Sequence, residues 1–353
     1  MKILAINPGS TSTKIGVFHD EELVMHNTIR HTPETLSHFS DAMEQFAYRR
    51  QLVIDTLSEE HIPFDFDVIV GRGGLLKPIE AGVYEINEKL LSETRNAVYR
   101  HACNLGSLIA ADLASSLPHC HALIADPGVV DELEDIARIN GCPLMPRFTI
   151  WHALNQRAIA RRFAKEHNQH YEDLNLIVCH LGGGISMAAH KKGRAIDVNN
   201  ALTGEGPFTP ERSGALPALP LVDLCFSGEY TREQIIKYVT SGSGMMAHLG
   251  TNDVPTVLKR IEKGDKKAKL VLDAMIYQIA KDVGSLSTVL YGKVDAILFT
   301  GGVANSTYIT DQLKERVSFI APVYIYPGED ELTALAMNAL SAMRGEQEIK
   351  VYR

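Results

Sequence analysis

Short apolar runs alternate with longer amphipathic stretches along most of the chain. Runs rich in β-branched residues and bounded by turn-forming residues predict strands at 2–6, 11–18, 67–70, 122–125, 175–180, 296–299 and 323–326. Apolar positions at helical spacing predict helices over 273–290, 305–317 and 331–343, and a polar surface helix is predicted over 34–58. Such alternation is typical of an α/β protein with a mixed or mostly parallel sheet.

The first two apolar runs are joined by Asn7-Pro8-Gly9-Ser10. Pro followed by Gly favours a type II turn, so these runs predict a β-hairpin. KILAI-NPGSTS-TKIGVF has the same layout as NLIVCH-LGGGIS-MAAHKKG, which lies about 170 residues later. This likeness has two explanations. Either two unrelated hairpins resemble each other by chance, or the chain contains an internal duplication, which would place both turns at one cleft. We favour the duplication.

The chain has 353 residues, which is more than one hydrophobic core usually supports, so two domains are predicted. No Pro/Gly/Ser-rich linker separates them, and the stretch around 145–175 is the best candidate for the boundary. The formal net charge of −8 argues against a nucleic-acid partner. No apolar run is long enough to span a membrane, and Asn7-Pro8-Gly9 interrupts the first run too early for a signal peptide. Five scattered cysteines without a CxxC fit a reducing cytoplasm.

Three loops of small residues follow predicted strands: Asn7–Ser12, Gly182–Ser186 and Gly301–Gly302. Glycines let the backbone approach a phosphate closely and hydroxyls donate to it, whereas each loop taken alone is better explained as a tight turn. Three such loops together favour a nucleotide. Neither a Walker loop nor a dinucleotide fingerprint is present, because GSTSTK lacks the required Gly before Lys and Gly242-Ser243-Gly244 follows a helical stretch.

Several charged or titratable residues lie at unusual places in these patterns. Arg72 in VGRGG and Arg212 in TPERSG lie beside glycines, where an arginine is able to bind a carboxylate or phosphate with two hydrogen bonds. Asp126 ends the strand ALIAD, where α/β ligand sites lie, and its oxygens suit Mg²⁺. His152 and His180 have apolar neighbours, and Gly-rich sequence follows His180 at once. The alternatives are solvated loop arginines, a turn aspartate and core histidines.

With these residues assembled, the chain resembles the butyrate kinase family and, more distantly, the acetate kinases. The resemblance spans residues 3–343 and rests on AINPGSTSTKIGVF, VGRGGLLKPIEAGVYEIN, HACNLGSLIA, ADPGVVDEL, HALNQRAIAR, CHLGGGISMAAHKKGRAIDVNNALTGEGPFTPERSGALP, GTND, FTGGVANS and PGEDELTALAMNAL. It implies a duplicated actin-like ATPase fold, related to ribonuclease H, with an active cleft between two domains. We place these at 1–150 and 151–331, with a C-terminal helix at 332–353 packing back on the first, and expect a homodimer or larger assembly.

The resemblance also implies roles for individual residues. Arg72, His152, His180 and Arg212 are expected to act on the substrate carboxylate and the transferring phosphoryl group. Mg²⁺ is expected at Asp126 and Glu331, although Glu329 and Asp330 are adjacent alternatives. ATP or ADP is expected to contact Asn7, Ser10, Thr11, Lys14, Gly182, Gly183, Gly184, Gly301, Gly302 and Asn305. Besides the two arginines, the acid is expected to contact Gly74, His101 and Trp151.

The implied reaction is the reversible phosphorylation of butyrate by ATP. Gly73 and Gly74 stand where the acetate kinases carry larger apolar residues, so we expect room for a longer acyl tail, and Trp151 either walls this pocket or is a core aromatic residue. Kinases for propionate, isobutyrate or acetate are alternatives, as is an actin-like ATPase without acyl transfer. Paired arginines argue against the plain ATPase, because it has no carboxylate to bind.

Overall fold

The computed structural model describes all residues from Met1 to Arg353 and separates into two compact units. The N-terminal unit comprises Met1–Val130, Ala153–Asn155 and Asp330–Arg353, and the C-terminal unit comprises Asp131–His152 and Gln156–Glu329. The division after residue 130 differs from the predicted boundary at 150.

The segment 131–150 lies in the C-terminal unit because its side chains and backbone bond to the second sheet. The backbone N–H of Glu134 donates to the carbonyl of Ile196, and the guanidinium of Arg147 binds Asp197 at 3.2 Å. Neither contact is visible in the local sequence pattern.

The chain contains twelve strands, thirteen α-helices and four short 3₁₀ helices. The strands are β1 (Lys2–Pro8), β2 (Ser12–His19), β3 (Glu22–Arg30), β4 (Val68–Arg72), β5 (Val83–Glu85), β6 (His121–Ala125), β7 (Asn175–Leu181), β8 (Ile185–Lys191), β9 (Arg194–Val198), β10 (Ala296–Gly301), β11 (Val323–Pro327) and β12 (Ile349–Val351). The helices are α1 (Pro33–Ser37), α2 (Phe46–Glu59), α3 (Glu88–Arg95), α4 (Leu105–Ala114), α5 (Asp135–Arg138), α6 (Ala153–Glu166), α7 (Ala218–Phe226), α8 (Arg232–Ser241), α9 (Gly244–Leu249), α10 (Val254–Glu262), α11 (Lys266–Val289), α12 (Thr307–Val317) and α13 (Glu331–Met343). The 3₁₀ helices are Ala42–Gln45, Ala102–Asn104, Tyr171–Asp173 and Gly302–Asn305.

Each unit is built on one mixed sheet, and the two sheets share a layout. The order is β12-β5-β6-β4-β1-β2-β3 in the N-terminal unit and β11-β10-β7-β8-β9 in the C-terminal unit. In both, three consecutive antiparallel strands are followed by two parallel strands added beside the first. The predicted α/β class is confirmed, and the shared strand order supports the internal duplication.

The register of the parallel strands places predicted site residues along one sheet edge. Ile6 lies opposite Gly71, and Arg72 lies opposite Ala125, so Asn7, Arg72 and Asp126 follow one another at the carboxyl ends of β1, β4 and β6. This edge is where open α/β sheets bind ligands.

Helices bury apolar faces on both sheets. In the N-terminal unit α4 comes so close to β4 that a Cβ on Gly106 would stand 2.3 Å from the carbonyl oxygen of Arg72, so only glycine fits there. Helix α13 packs on β1, β4 and β6 through buried residues such as Leu335. In the C-terminal unit α6 packs Ala160 and Phe163 against Leu176 and Leu298 of the second sheet.

Four local predictions differ from the structure. The C-terminal helix predicted at 332–353 ends at Met343, and Ile349–Val351 forms strand β12. The first hairpin is present, but Gly9 does not adopt a positive φ, so the turn is not type II. The stretch 34–58 forms separate helices because Asp41 bonds to the backbone N–H of Met43, which starts a new helical turn. Helix α12 begins at Thr307, where Ser306 rather than Asn305 provides the N-cap.

Candidate active site

Asn7, Arg72 and Glu331 form one hydrogen-bonded cluster in the N-terminal unit. Nη1 of Arg72 donates to Oε2 of Glu331 at 2.9 Å and to Oδ1 of Asn7 at 3.2 Å, while Nδ2 of Asn7 donates to the same Glu331 oxygen. Glu331 is buried and is the first residue of α13, where the helix dipole stabilises a carboxylate. Among the three adjacent acids, it is Glu331 that contacts Arg72.

Asp126 lies next along the same sheet edge and is held by Gly82. Its backbone N–H donates to the Gly82 carbonyl at 3.0 Å, and its Oδ1 accepts from the Gly82 N–H at 2.9 Å. Its φ of +38° is rare for a residue with a side chain and persists only where the surroundings hold it. The carboxylate is buried and therefore has a fixed orientation.

The turn between β1 and β2 is held from behind by Arg49 of α2. This arginine is fully buried, and its guanidinium donates to the carbonyls of Gly9 at 2.8 Å, Ser12 at 3.1 Å and Ser10 at 3.3 Å. Nε donates to Gln45 at 2.9 Å. Burial lowers the pKa of Arg49 to about 10, so the side chain stays charged at neutral pH.

Replacing Arg49 by methionine is expected to lower the free energy of unfolding by about 3 kcal/mol, because three partly buried carbonyls lose a charged donor and Gln45 loses its buried partner. Urea denaturation of the purified chain measures this change. Arg50→Met is the matched control, since Arg50 pairs with Asp112 at the surface and such pairs contribute little. Equal losses in the two variants would contradict the anchoring of the turn by Arg49.

The remaining predicted residues of this unit lie near the same turn. Oγ of Ser10 lies 3.3 Å from Nε2 of His101, and both residues are exposed. Lys14 lies opposite Asn7 in the β1–β2 register, and Thr11 is exposed at the tip of the turn.

In the C-terminal unit His152 and His180 stack face to face. Their ring centroids are 3.7 Å apart and the planes differ by 9°. His180 is the buried penultimate residue of β7, and its Nε2 lies 3.2 Å from a carboxylate oxygen of Glu329. The sequence analysis considered Glu329 only as an alternative metal ligand, and in the structure it lies beside His180 instead.

A buried chain of polar side chains continues from this stack. Nδ1 of His152 lies 2.8 Å from Oγ of Ser186, which also accepts from Nε2 of Gln156 at 2.8 Å. Oε1 of Gln156 lies 3.1 Å from Nε2 of His190, whose Nδ1 lies 2.6 Å from the hydroxyl of Tyr171.

Trp151 packs against His190, one of these hydrogen-bonded side chains. Its ring meets the His190 ring edge to face with centroids 5.9 Å apart, and Trp151 is buried. This contact matches the alternative interpretation of Trp151 as a core aromatic residue.

The free energy of unfolding of the protein is expected to fall as the pH drops from 7 to 5, partly because of His190. Burial, helped by the nearby charge of Arg157, lowers the pKa of His190 to about 3, below the 6.5 of an unfolded histidine. Because the unfolded chain binds the proton first, His190 should account for about 2 kcal/mol of that loss. The measurement is urea denaturation at both pH values.

His190→Gln should shrink the difference between the two pH values, and the exposed His26→Gln should leave it unchanged. An undiminished difference in His190→Gln would show that His190 does not carry this pH dependence.

Arg212 packs directly on the glycine-rich loop after β7. A Cβ on Gly184 would stand 2.1 Å from Nη1 of Arg212, and the same Nη1 donates to the carbonyl of Ala201 at 2.7 Å. Oγ1 of Thr209 accepts from the Arg212 N–H at 2.9 Å and donates to the Gly183 carbonyl at 2.6 Å. The arginine and the loop are thus positioned together.

Four of the predicted nucleotide residues line one cavity of about 410 Å³ in the C-terminal unit: Gly182, Gly183, Gly302 and Asn305. Val254, Leu258 and Val303 provide an apolar wall. Gly301 adopts a φ of +90° with its backbone against the carbonyl of Leu181, which requires glycine. The size and the mixed lining are typical of small-molecule sites.

The sequence profile of the acetokinase family matches residues 147–327, more than half of the chain. The chain belongs to the acetokinase family. It is 60% identical over 353 residues to a "Probable butyrate kinase" of Bacteroides thetaiotaomicron, covering 100% of both chains. It is 50% identical to "Butyrate kinase 2" of Clostridium acetobutylicum, covering 100% of this chain and 99% of the relative. The crystal structure of Porphyromonas gingivalis acetate kinase superposes with a TM-score of 0.80 at 18% identity, covering 97% and 99% of the two chains.

Membership of the acetokinase family confirms the predicted actin-like duplicated fold, to which both sheets conform. None of the helices is both long and apolar enough to cross a bilayer.

The predicted room beside Gly73 and Gly74 is absent. A Cβ on Gly74 would stand 2.7 Å from Oδ1 of the buried Asn104, and one on Gly73 would stand 2.5 Å from Pro127. Oδ1 of Asn104 accepts from the Leu75 N–H at 2.8 Å, which fixes the amide beside the glycines. The expectation of a longer acyl pocket at this place was therefore wrong, because neighbouring groups fill the space that the glycines leave.

The carboxylates of Asp126 and Glu331 each offer the oxygen ligands that Mg²⁺ prefers. No group of three or more His, Cys, Asp or Glu side chains forms a separate metal cage. Mg²⁺ in nucleotide enzymes is usually held by one or two carboxylates, with water and phosphate oxygens completing the octahedron. Both carboxylates are buried and oriented by hydrogen bonds from neighbouring donors.

Proposed function

We propose that this protein is a butyrate kinase, which transfers the γ-phosphoryl group of ATP reversibly to butyrate or a branched short-chain acid. The observation that carries the proposal is the full-length similarity to chains named butyrate kinase at 50% and 60% identity. The products are butyryl phosphate and ADP, and the reverse reaction makes ATP.

The chemistry needs no general base. A carboxylic acid is already ionised at neutral pH, so its oxygen is the nucleophile without losing a proton. Catalysis then depends on positioning the two reactants in line and on neutralising charge on the transferring group. Arginines, histidines and backbone N–H groups are proposed to supply these functions.

In the N-terminal unit, Arg72 is proposed to bind the acid and the moving phosphoryl group, with Asn7 contacting the phosphate. The pairing of Arg72 with Glu331 holds one nitrogen of the guanidinium, which orients the planar group. Asp126 and Glu331 would hold Mg²⁺, which when bound neutralises phosphate charge. Ser10, Thr11 and Lys14 are proposed to donate to phosphate oxygens, and His101 to contact the acid.

In the C-terminal unit, the cavity lined by Gly182, Gly302 and Asn305 is proposed to hold the adenosine. Its apolar wall suits the faces of an adenine ring, and the loop glycines leave the backbone open to phosphates. Arg212, His152 and His180 are proposed to stabilise the transferring phosphoryl group.

The proposed preference among acids is modest. Butyrate has two CH₂ groups more than acetate, and each buried CH₂ contributes about 0.8 kcal/mol. The selectivity in kcat/KM for butyrate over acetate should therefore be on the order of tenfold. Isobutyrate and propionate should be used at intermediate rates.

The proposal is tested by measuring ADP release from ATP and Mg²⁺ with and without each acid, with hydroxylamine present to trap acyl phosphate. ADP release that depends on butyrate, together with butyryl hydroxamate, is expected. Release that is independent of any acid would instead indicate an ATPase. Turnover of acetate equal to or better than that of butyrate would contradict the preference.

We also propose that the protein acts in the cytoplasm as a homo-oligomer that uses α7 as a contact. None of the nine residues of α7 is buried, even though most of them are apolar. Leu219 and Phe226 are 76% and 86% exposed. Asp223 is its only charged residue, so two copies would meet in a symmetric contact with little repulsion.

Light scattering of the purified protein should give a dimer or a larger assembly. Leu219→Glu combined with Phe226→Glu should give a monomer, because each charge would be buried in the contact. An unchanged mass in the double variant would exclude α7 as the contact.

A further inference from the structure

The hydroxyl oxygen of Ser186 has three hydrogen-bonding neighbours but only two lone pairs with which to accept. The backbone N–H of His152 donates to this oxygen at 3.2 Å, and Nε2 of Gln156 donates to it at 2.8 Å. A hydroxyl oxygen accepts two hydrogen bonds, and both are used here. Its own proton is therefore left for the third neighbour, Nδ1 of His152 at 2.8 Å.

The orientation of the Gln156 amide is settled by a neighbour that is only able to accept. The same nitrogen, Nε2, lies 2.9 Å from the carbonyl oxygen of Ser186. A carbonyl has no proton to donate, so the amide NH₂ must face Ser186 and the amide oxygen must face His190. Gln156 is fully buried, so solvent does not compete with these contacts.

At the far end of this hydrogen-bonded row of side chains, from Tyr171 to Gln156, the donors point the same way. Because Oε1 of Gln156 only accepts, Nε2 of His190 must carry the proton across their 3.1 Å contact. His190 is buried and neutral at neutral pH, so its Nδ1 accepts the proton of the Tyr171 hydroxyl at 2.6 Å. Every donor from Tyr171 to Ser186 thus points toward His152.

We infer that Ser186 and Gln156 are positioning residues that keep Nδ1 of His152 unprotonated and so place the single ring proton on Nε2. This inference rests on the proposed function, in which His152 acts on the phosphoryl group. A neutral imidazole with a proton on Nε2 donates one hydrogen bond from that nitrogen and does not act as a base there. The opposite tautomer would present a lone pair to an anionic phosphoryl oxygen and repel it.

The stacked ring of His180 fits this assignment. The two ring centroids are 3.7 Å apart with the planes only 9° from parallel, and an uncharged His152 ring adds no positive charge to this stack. The positioning chain therefore supplies a fixed donor whose direction does not change during the reaction.

The test uses the full-length protein labelled with ¹⁵N-histidine, in which long-range proton–nitrogen spectra distinguish the two tautomers. The His152 signals are assigned by their loss in His152→Gln. In the unmodified chain at pH 7.5, His152 is expected to carry its proton on Nε2. A proton on Nδ1, or on both nitrogens, would overturn the inference.

Gln156→Glu reverses the hydrogen bond between residue 156 and Ser186 with almost no change in shape. A carboxylate only accepts, so the Ser186 hydroxyl would donate to residue 156 and His152 would gain a proton on Nδ1. The kcat is expected to fall by about 10²-fold, as for loss of one transition-state donor, with KM for ATP changed by less than about threefold. Gln312→Glu, on the partly buried face of α12, is the control for the added charge and should keep both kcat and tautomer.

Ser186→Ala is the second variant. It breaks the same row of hydrogen bonds without adding charge. It should leave His152 as a mixture of tautomers and lower kcat by about tenfold or more. Unchanged kcat in both variants, despite altered His152 spectra, would overturn the positioning role. An unmodified chain that keeps the Nε2 proton but phosphorylates no acid would uphold the tautomer and refute the proposed function.

Discussion

Arg72→Lys is expected to lower kcat/KM for butyrate phosphorylation by about 10³-fold, and Arg72→Ala by at least as much. Lysine keeps the charge, but it lacks the planar fork that lets one nitrogen bind Glu331 and Asn7 while others bind substrate. In Arg72→Ala the buried Glu331 carboxylate also loses its cation. Steady-state kinetics with varied butyrate at saturating ATP measure the effect.

Arg344→Lys is the matched control, because Arg344 also pairs with acids but does so at the surface, with Asp20 and Glu21. Its kcat/KM should stay within about twofold of the unmodified chain, since surface ion pairs contribute little. If Arg72→Lys lost no more activity than this control, Arg72 would have no role in binding the transferring group.

Gly184→Ala is expected to reduce kcat by at least about 10²-fold while the chain still folds. The added methyl group would stand 2.1 Å from Nη1 of Arg212, so the guanidinium has to leave its place beside the loop. The flexible arginine moves more easily than backbone, so overall folding should survive. Single-turnover measurements with ATP and butyrate separate this loss of chemistry from weaker binding.

Gly284→Ala in α11 is the control for a glycine with no neighbour within 4 Å of the added methyl group. It should keep full activity and stabilise the chain by about 0.5–1 kcal/mol, because alanine favours a helix. Full activity in Gly184→Ala as well would show that the observed place of Arg212 beside the loop is not needed for catalysis.

Much of the N-terminal site was predictable because its residues end apolar runs. Asn7, Arg72 and Asp126 each follow a run that reads as a strand, and parallel pairing brings such ends to one edge. Strands β5 and β12 were not predicted, because each has only three residues and lacks a clear apolar alternation.

The supporting residues were not predictable from local pattern. Arg49 reads as a surface residue in a polar helix, yet it is fully buried against the turn. Asn7 and Glu331 are 324 residues apart, and nothing near either one indicates the other. Ser186 and Gln156 are polar residues of common type whose roles follow only from their mutual geometry.

The glycines show a different limit of sequence reasoning. An absent side chain indicates room, yet Asn104 and Pro127 fill the space beside Gly73 and Gly74. Close packing of interiors makes such filling the usual outcome, so the bulk at one position says little about pocket size.

The central claim, that a carboxylate oxygen attacks the γ-phosphorus, is tested most directly with butyrate labelled by ¹⁸O in its carboxyl group. The labelled acid is incubated with ATP, Mg²⁺ and the protein, and the acyl phosphate is examined by ³¹P NMR, where a bonded ¹⁸O shifts the phosphorus signal. The account predicts butyryl phosphate with ¹⁸O bonded to phosphorus. Inorganic phosphate formed from ATP without any labelled acyl phosphate would contradict it.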